Sequence, residues 1–486
     1  MSKEYDEKTA TGIDLESFSH DVSIAEQESL DEELVVQKEI LEDEGSAIKY
    51  RNCSWQKTSM LLATEYICLA AMSFPWSFSV LGLIPGLILT LGIAATTIYT
   101  GTIIGDYCLK YPKMQNICDI GQHLFWGKKW AYWATAVCFI LNNSMIQALH
   151  VLVGAKYLNT LSDHGTCTIS FSVITTFVCF IFALPRTFHN MSYLSLFAAA
   201  TMFIAMVLCI VFAGIQEHPD EWDPTVPIEW NLWPAQGTTY VDGMNAMLNI
   251  LFTLAGQITY PSFIAEMRNP KDFRKALYLV GAFEIILYCI AGSVIYVMVG
   301  NNYIASPAFG VLSRKWKFIS FSFTIPTIII LGSLFGNITC QFIFFKIFDS
   351  KSAHRRSHTT KGWGIWIFIT IASWILAFII AQVIPFFGDL LSLMSSLFAC
   401  WFGYVFWGVA YMRLKQAKYK GQYNSFKELY FLLTGKEKLQ YWVSWFIIAI
   451  GVYLIGPGTY SAVESIRLNY AARLYGDVFT CANNGI

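Results

Sequence analysis

Charged residues are scarce in this chain. Only 14% of the 486 residues are Asp, Glu, Lys or Arg, whereas soluble proteins carry about 25%. A soluble protein of this size could not cover its surface with so few charges, which excludes a soluble enzyme, a nucleic-acid-binding protein and a disordered scaffold. Apolar residues make up 55% of the chain. The composition therefore predicts a polytopic membrane protein whose spans are all α-helical.

Motifs of catalysis and metal binding are also missing. The sequence contains no P-loop, no GxSxG and no HExxH, and none of its 12 cysteines forms a Cys-x-x-Cys pair. These patterns mark nucleotide-binding, hydrolytic and metal sites. We therefore expect no catalytic residues, no metal and no cofactor, and we predict that the protein is not an enzyme.

Charge is divided unevenly along the chain. Residues 1–50 hold 15 acidic residues and four lysines, a net charge of −11, and the remainder carries +10. The N-terminal stretch lacks the apolar core of a signal peptide. We predict an acidic disordered cytosolic tail over 1–50, a membrane domain over 51–465 and an extracytoplasmic tail over 466–486.

Eleven apolar stretches are long enough to cross a bilayer about 30 Å thick, which takes roughly 20 helical residues. Their predicted limits are 57–80, 83–105, 130–154, 167–185, 190–214, 241–265, 276–299, 317–346, 363–384, 387–411 and 441–464. With the N-terminus inside, the inner loops hold 21 Lys and Arg and the outer segments hold six. The excess of inner positive charge predicts a cytosolic N-terminus and, with eleven spans, an external C-terminus.

Two spans contain small residues followed by a proline. Span 1 includes Ser73-Phe74-Pro75, and span 6 includes Thr259-Tyr260-Pro261. Proline removes a backbone donor and disfavours a helix at the preceding residue. A single proline often only kinks a transmembrane helix, but breaks in spans 1 and 6 occupy equivalent positions if spans 1–5 repeat as spans 6–10. Transporters place their binding sites at such pairs of breaks.

A few polar side chains fall within the spans. Glu65 in span 1 and Glu284 in span 7 are hypotheses for a proton-coupling carboxylate, because ionisable groups inside a membrane are costly. Each could instead be a hydrogen-bond partner between helices. Asn143 in span 3 and Ser333 in span 8 could line a cavity or could simply join helices.

The sequence resembles the amino acid/auxin permease family, within the amino acid–polyamine–organocation superfamily, and specifically its fungal neutral amino acid permeases. Four motifs carry the resemblance, in order along about residues 52–465. They are Phe74-Pro75 with Leu81-Gly82-Leu83-Ile84-Pro85-Gly86, Ala255-Gly256-Gln257 with 261–270, Ser306-Pro307-Ala308, and Ile384-Pro385-Phe386-Phe387-Gly388-Asp389-Leu390-Leu391. The resemblance implies a leucine-transporter-like fold of five plus five inverted repeats, discontinuous helices 1 and 6, and one extra helix. It also implies secondary transport of amino acids, usually driven by protons.

In that fold we expect the substrate between the two breaks. Exposed backbone N–H groups favour the carboxylate of an amino acid, and free carbonyls favour its ammonium group. Because Ala71, Ala255 and Gly256 are small, we expect room there for a bulky substrate side chain. The predicted substrate-binding residues are Ala71, Met72, Ser73, Phe74, Asn143, Phe252, Ala255, Gly256, Gln257 and Ser333.

Two cysteines are predicted to lie outside, Cys167 at the start of span 4 and Cys481 in the C-terminal tail. The external compartment permits disulfides, so we predict that these two pair and pin the tail to the outer face. Two unpaired thiols remain the alternative.

The function predicted from these features is proton-coupled import of neutral amino acids, large apolar and aromatic ones included, across a plasma membrane. The predicted partners are the amino acid substrate, a proton and the lipid bilayer, with no nucleic acid. A vacuolar exporter of the same fold and a receptor that binds amino acids without moving them remain open alternatives. The sequence does not indicate an oligomeric state.

Overall fold

The computed structural model describes residues 53–486, apart from 115, 187–190, 349–351, 353, 355–357 and 475–476. The predicted tail over 1–50 lies outside the described residues. The described part of the chain is helical and contains no β-strand, although one isolated parallel bridge joins Cys53 to Met267.

The described residues contain eighteen α-helices, numbered here in chain order. They are α1 Trp55–Tyr66, α2 Phe74–Leu81, α3 Leu83–Lys110, α4 Ile117–Leu124, α5 Lys129–Ser162, α6 Thr168–Ala183, α7 Met191–Ile215, α8 Tyr240–Thr253, α9 Tyr260–Glu266, α10 Phe273–Val299, α11 Arg314–Ser322, α12 Ile325–Ile347, α13 Thr360–Val383, α14 Phe387–Met394, α15 Phe406–Lys418, α16 Phe426–Leu432, α17 Gly435–Tyr453 and α18 Thr459–Ala471, with Leu69–Ser73 forming a 3₁₀ helix between α1 and α2.

The helices form two closely packed groups. In one group α5 packs extensively on α6, α12 and α13, and in the other α10 packs on α1, α2 and α3, with α8 and α9 alongside. α7 contacts both groups, and α14 and α18 pack against α8. The second group contains the two predicted breaks. All residues of the 3₁₀ helix Leu69–Ser73 in the first break are buried.

Eight helical segments of the described residues are long and apolar enough to cross a membrane, or nine if α1 and α2, bent by 43°, count as one span. The two other predicted spans correspond to α6, which has 16 residues, and to α8 and α9, which have 14 and seven. The predicted count of eleven therefore depends on these short or interrupted helices, and it stays a prediction.

Local sequence explains where the interrupted helices begin. Ser54 caps α1 through the N–H of Lys57, and Thr239 and Asp242 form a reciprocal capping box at α8. Pro75 and Pro261 occupy the first turns of α2 and α9. Proline is tolerated there because the N–H groups of a first helical turn have no partner within the helix.

Candidate functional site

The first break covers residues 67–73, between α1 and α2. The chain bends after Tyr66 and then follows the 3₁₀ helix Leu69–Ser73. The N–H of Ala71 donates to the carbonyl of Cys68 at 3.2 Å, and the Ser73 hydroxyl donates to the carbonyl of Ala70 at 2.7 Å. Four predicted binding residues, Ala71, Met72, Ser73 and Phe74, are fully buried.

The second break covers residues 254–259, between α8 and α9. Thr97 of α3 donates its hydroxyl to the carbonyl of Leu254 at 3.0 Å, and the Gln257 amide donates to the Thr100 hydroxyl at 3.2 Å. The other amide atom, Gln257 Oε1, is buried without a hydrogen-bond partner among the described residues. The break therefore holds an acceptor that a ligand with N–H groups could satisfy.

Two consecutive residue pairs join the segments that flank the breaks. The Thr259 hydroxyl donates to Glu65 Oε2 at 2.5 Å, and the hydroxyls of Tyr66 and Tyr260 hydrogen-bond to each other. Tyr288 of α10 donates to the carbonyl of Tyr66 at 2.5 Å. The end of α1 is thus fastened to the start of α9 and to α10.

The opposite ends of α1 and α9 are also joined. The N–H of Cys53 donates to the carbonyl of Glu266, and the N–H of Arg268 donates to the carbonyl of Cys53, both at 3.0 Å. Burial, and secondarily the charge of Glu266, raise the pKa of the Cys53 thiol. The two half-helices are therefore tied together at both ends in this conformation.

The space beside Gly256 is occupied by Tyr66 in this conformation. A Cβ atom placed on Gly256 would lie 2.6 Å from the hydroxyl oxygen of Tyr66. Gly256 lets the tyrosine ring approach the second break closely, and that ring fills the space assigned to a substrate side chain. Residue size along the sequence could not reveal this, because Tyr66 comes from another helix.

The two predicted carboxylates have different surroundings. Glu65 is partly exposed and is held by Thr259. Glu284 is 3% exposed, and its Oε1 atom has no hydrogen-bond partner among the described residues. Glu284 lines a small cavity of about 10 Å³ together with Tyr66 and Tyr260, a volume of roughly one water molecule.

Asn143 and Ser333 lie in the group of α5, α6, α12 and α13. The Asn143 Oδ1 atom accepts from Asn142 at 3.4 Å, and its Nδ2 atom is buried without a partner among the described residues. Ser333 hydrogen-bonds to the carbonyls of Cys179 at 2.8 Å and Ile329 at 2.6 Å. These bonds place the Ser333 hydroxyl in the contact between α12 and α6, which fits an interhelical role.

Phe252 and Ala255 flank the end of α8. The carbonyl of Phe252 accepts the N–H of Ala255 at 3.2 Å, so one of its two lone pairs is already used. Both side chains are partly buried. Their position at the second break fits the predicted ammonium site.

Cys167 and Cys481 form a disulfide whose Cα atoms are 4.5 Å apart. Hydrogen bonds fasten the same segment: Thr168 donates to the carbonyl of Ala482 at 2.6 Å, and buried Lys156 donates to that of Asn484 at 3.0 Å. The C-terminal segment is thereby attached to α5 and α6.

No group of three or more His, Cys, Asp or Glu side chains in the described ranges could hold a metal ion. Sequence reasoning assigned no role to four residues at or beside the breaks: Tyr66, Thr259, Tyr260 and Tyr288. A usable signal was present for three of them. Glu65-Tyr66 and Thr259-Tyr260 are adjacent polar pairs that directly flank the two breaks.

Several known proteins are similar to this chain in sequence. A family model described as transmembrane amino acid transporter protein matches residues 51–455. The N amino acid transport system protein of Neurospora crassa is 28% identical over 92% of both chains. Auxin transporter-like protein 3 of Medicago truncatula is 23% identical over 72% of this chain and 74% of its own.

A solved structure has a similar fold. The crystal structure of MhsT in complex with L-phenylalanine matches with a TM-score of 0.50 and 11% identity, covering 82% of this chain and 98% of MhsT. At this identity the likeness shows the fold alone, and that fold agrees with the leucine-transporter-like architecture implied by the motifs. The chain therefore belongs to the transmembrane amino acid transporter family, which is the amino acid/auxin permease family that its motifs resemble.

Proposed function

We propose that this protein is a secondary active transporter that imports neutral amino acids, including large apolar and aromatic ones, together with protons. The observation that carries the proposal is the pair of breaks, in which backbone groups lie between helices together with the Gln257 Oε1 atom, which has no hydrogen-bond partner among the described residues. An amino acid brings a carboxylate and an ammonium group into a space of low dielectric. Both groups need fixed dipoles there, since an unpaired buried charge is very costly.

The proposed site assigns one charged group of the substrate to each break. The carboxylate lies at Ala71, Met72 and Ser73, beside the N-terminus of α2, where the helix dipole favours negative charge. The ammonium group lies at the second break, where Gln257 Oε1 and the remaining lone pairs of the carbonyls accept its hydrogen bonds. Because Ala71 N–H already bonds to Cys68 in this conformation, substrate binding must rearrange the first break.

We assign the coupled proton to Glu65. A carboxyl group that loads and releases a proton must be reachable from water, and Glu65 is less buried than Glu284. Glu65 also bonds to the second break through Thr259. In this position a change in its charge alters the surroundings of the substrate site directly.

The proposed topology has eleven spans, with α6 as span 4 and with α8 and α9 as the two halves of span 6. The excess of Lys and Arg in alternate loops puts the N-terminus in the cytosol and the C-terminal segment outside. The disulfide between Cys167 and Cys481 supports this arrangement, because disulfides persist in external compartments. We propose the plasma membrane as the location.

Uptake by purified protein in liposomes tests the proposal. Labelled phenylalanine, leucine and alanine are offered with and without an imposed pH gradient, acidic on the outside. We expect accumulation that requires the gradient and that collapses when a protonophore is added. Binding without uptake would identify a receptor instead, and gradient-independent equilibration would contradict proton coupling. Fractionation of intact cells distinguishes the plasma membrane from the vacuolar membrane.

A further inference from the structure

The hydroxyl of Thr259 faces two acceptors. Its Oγ1 atom lies 2.5 Å from Glu65 Oε2 and 2.9 Å from the carbonyl oxygen of Gly256. A threonine hydroxyl has one proton to donate, although its oxygen can accept as well. The hydroxyl therefore cannot donate to both acceptors at once.

The charge of Glu65 decides which of the two acceptors the Thr259 hydroxyl donates its hydrogen bond to. An ionised carboxylate only accepts, so Thr259 must donate to Glu65, and the Gly256 carbonyl keeps only the backbone N–H of Thr259 at 3.2 Å. A protonated Glu65 can donate to Thr259 Oγ1 instead, and the Thr259 hydroxyl then donates its hydrogen bond to the Gly256 carbonyl. Both arrangements fit the same heavy-atom positions.

We propose that Thr259 transmits the protonation of Glu65 to the second break by turning its hydroxyl hydrogen bond from Glu65 to the Gly256 carbonyl. This proposal rests on the proposed function and adds a positioning residue to it. With both donors on Gly256, the turn from Gly256 to Thr259 is held by two hydrogen bonds rather than one. A more rigid break is better prepared for substrate, because less conformational freedom is lost on binding.

Other titratable groups face Glu65 and must be separated from this effect. They are Tyr66 and Cys68 from its own span, Tyr260 from α9, and Glu284 from α10. The remaining neighbour, α7, contains no Asp, Glu, His, Lys or Arg, and its titratable side chains are Tyr193 and Cys209. Glu284 is the one other carboxyl group in this set, so a Glu284→Gln variant is measured in parallel.

Two variants of Thr259 provide a matched test. Thr259→Val replaces the hydroxyl by a methyl group of similar shape, and Thr259→Ser keeps the hydroxyl. Binding of labelled phenylalanine to purified protein is measured at mildly acidic and at neutral pH, and thermal unfolding verifies that each variant is folded. We expect wild type and Thr259→Ser to bind more tightly at acidic pH. In Thr259→Val the ratio of the affinities at the two pH values should be about fivefold smaller, which is the contribution of one hydrogen bond.

Glu65→Gln keeps the inference testable if Thr259→Val does not fold. The glutamine amide can donate to Thr259 Oγ1 permanently, so Glu65→Gln should bind tightly at both pH values. A wild-type pH dependence in Thr259→Val would overturn the role of Thr259 and leave the proposed function standing. If Glu284→Gln also loses that dependence, the effect belongs to Glu284. A wild type that moves amino acids without protons would overturn both this inference and the proposed function.

Discussion

Tyr66→Phe is predicted to destabilise the join between α1 and α9. The substitution keeps the buried ring and removes only the hydroxyl that bonds to Tyr260. Tyr260 is fully buried, so its hydroxyl is left without a partner, at a cost of about 1–3 kcal/mol. Tyr260→Phe should cost a similar amount. The double variant should lose much less than the sum of the two, because neither hydroxyl is then left buried and unpaired.

The chain offers an exposed tyrosine pair as a control. The hydroxyls of Tyr240 and Tyr453 lie 2.9 Å apart, and the two residues are 52% and 50% exposed. Tyr240→Phe should change stability little, since an exposed hydroxyl finds another partner. The assay is reversible unfolding of each purified variant in mixed micelles. Equal losses for Tyr66→Phe and Tyr240→Phe, or strict additivity in the double variant, would refute the reasoning.

Alkylation of Cys53 gives a second measurement of the same join. Cys53 is 4% exposed and sits in the bridge between the far ends of α1 and α9. Burial raises the pKa of its thiol, which keeps it protonated and slow to react at neutral pH. If Tyr66→Phe lets α1 separate from α9 more often, mass spectrometry should show faster alkylation of the Cys53 peptide. An unchanged rate would mean that the tyrosine pair does not hold the half-helices together.

Three further predictions concern single sites. Glu65→Gln should still fold and bind phenylalanine but accumulate it poorly against a gradient, and normal pH-dependent accumulation would assign the proton to another group. Gly256→Leu should impair uptake of large and small substrates alike, because its side chain collides with the Tyr66 ring; Gly256→Ala should show a smaller loss, and normal transport by Gly256→Leu would contradict the packing argument. Cys167 and Cys481 should resist alkylation until a reductant is added, and labelling of both thiols in unreduced protein would contradict the pairing.

The sequence was most informative where one residue type determines the backbone. Pro75 and Pro261 cannot lie inside a continuous helix without removing a hydrogen bond, and each lies in the first turn of a new helix in the structure. The positions of the two helix breaks could therefore be predicted without knowledge of the fold.

Contacts between distant residues were less accessible to sequence reasoning. Tyr66 and Tyr260 are 194 positions apart, and no periodicity links them. Ser333 shows the same limit, since its polar character fitted both a cavity and a bond between helices, and its hydroxyl bonds to helix carbonyls in the structure. A polar residue in a span can line a cavity or can hydrogen-bond to a neighbouring helix, and only the packing of the helices shows which of the two it does.

Proton movement driven by substrate tests the central claim most directly. Liposomes containing the purified protein are suspended in weakly buffered medium with no imposed gradient, and external pH is recorded as phenylalanine is added. Coupled import predicts that the external medium becomes more alkaline on addition, and that Glu65→Gln abolishes this change. Uptake of labelled phenylalanine without any movement of protons would contradict the account.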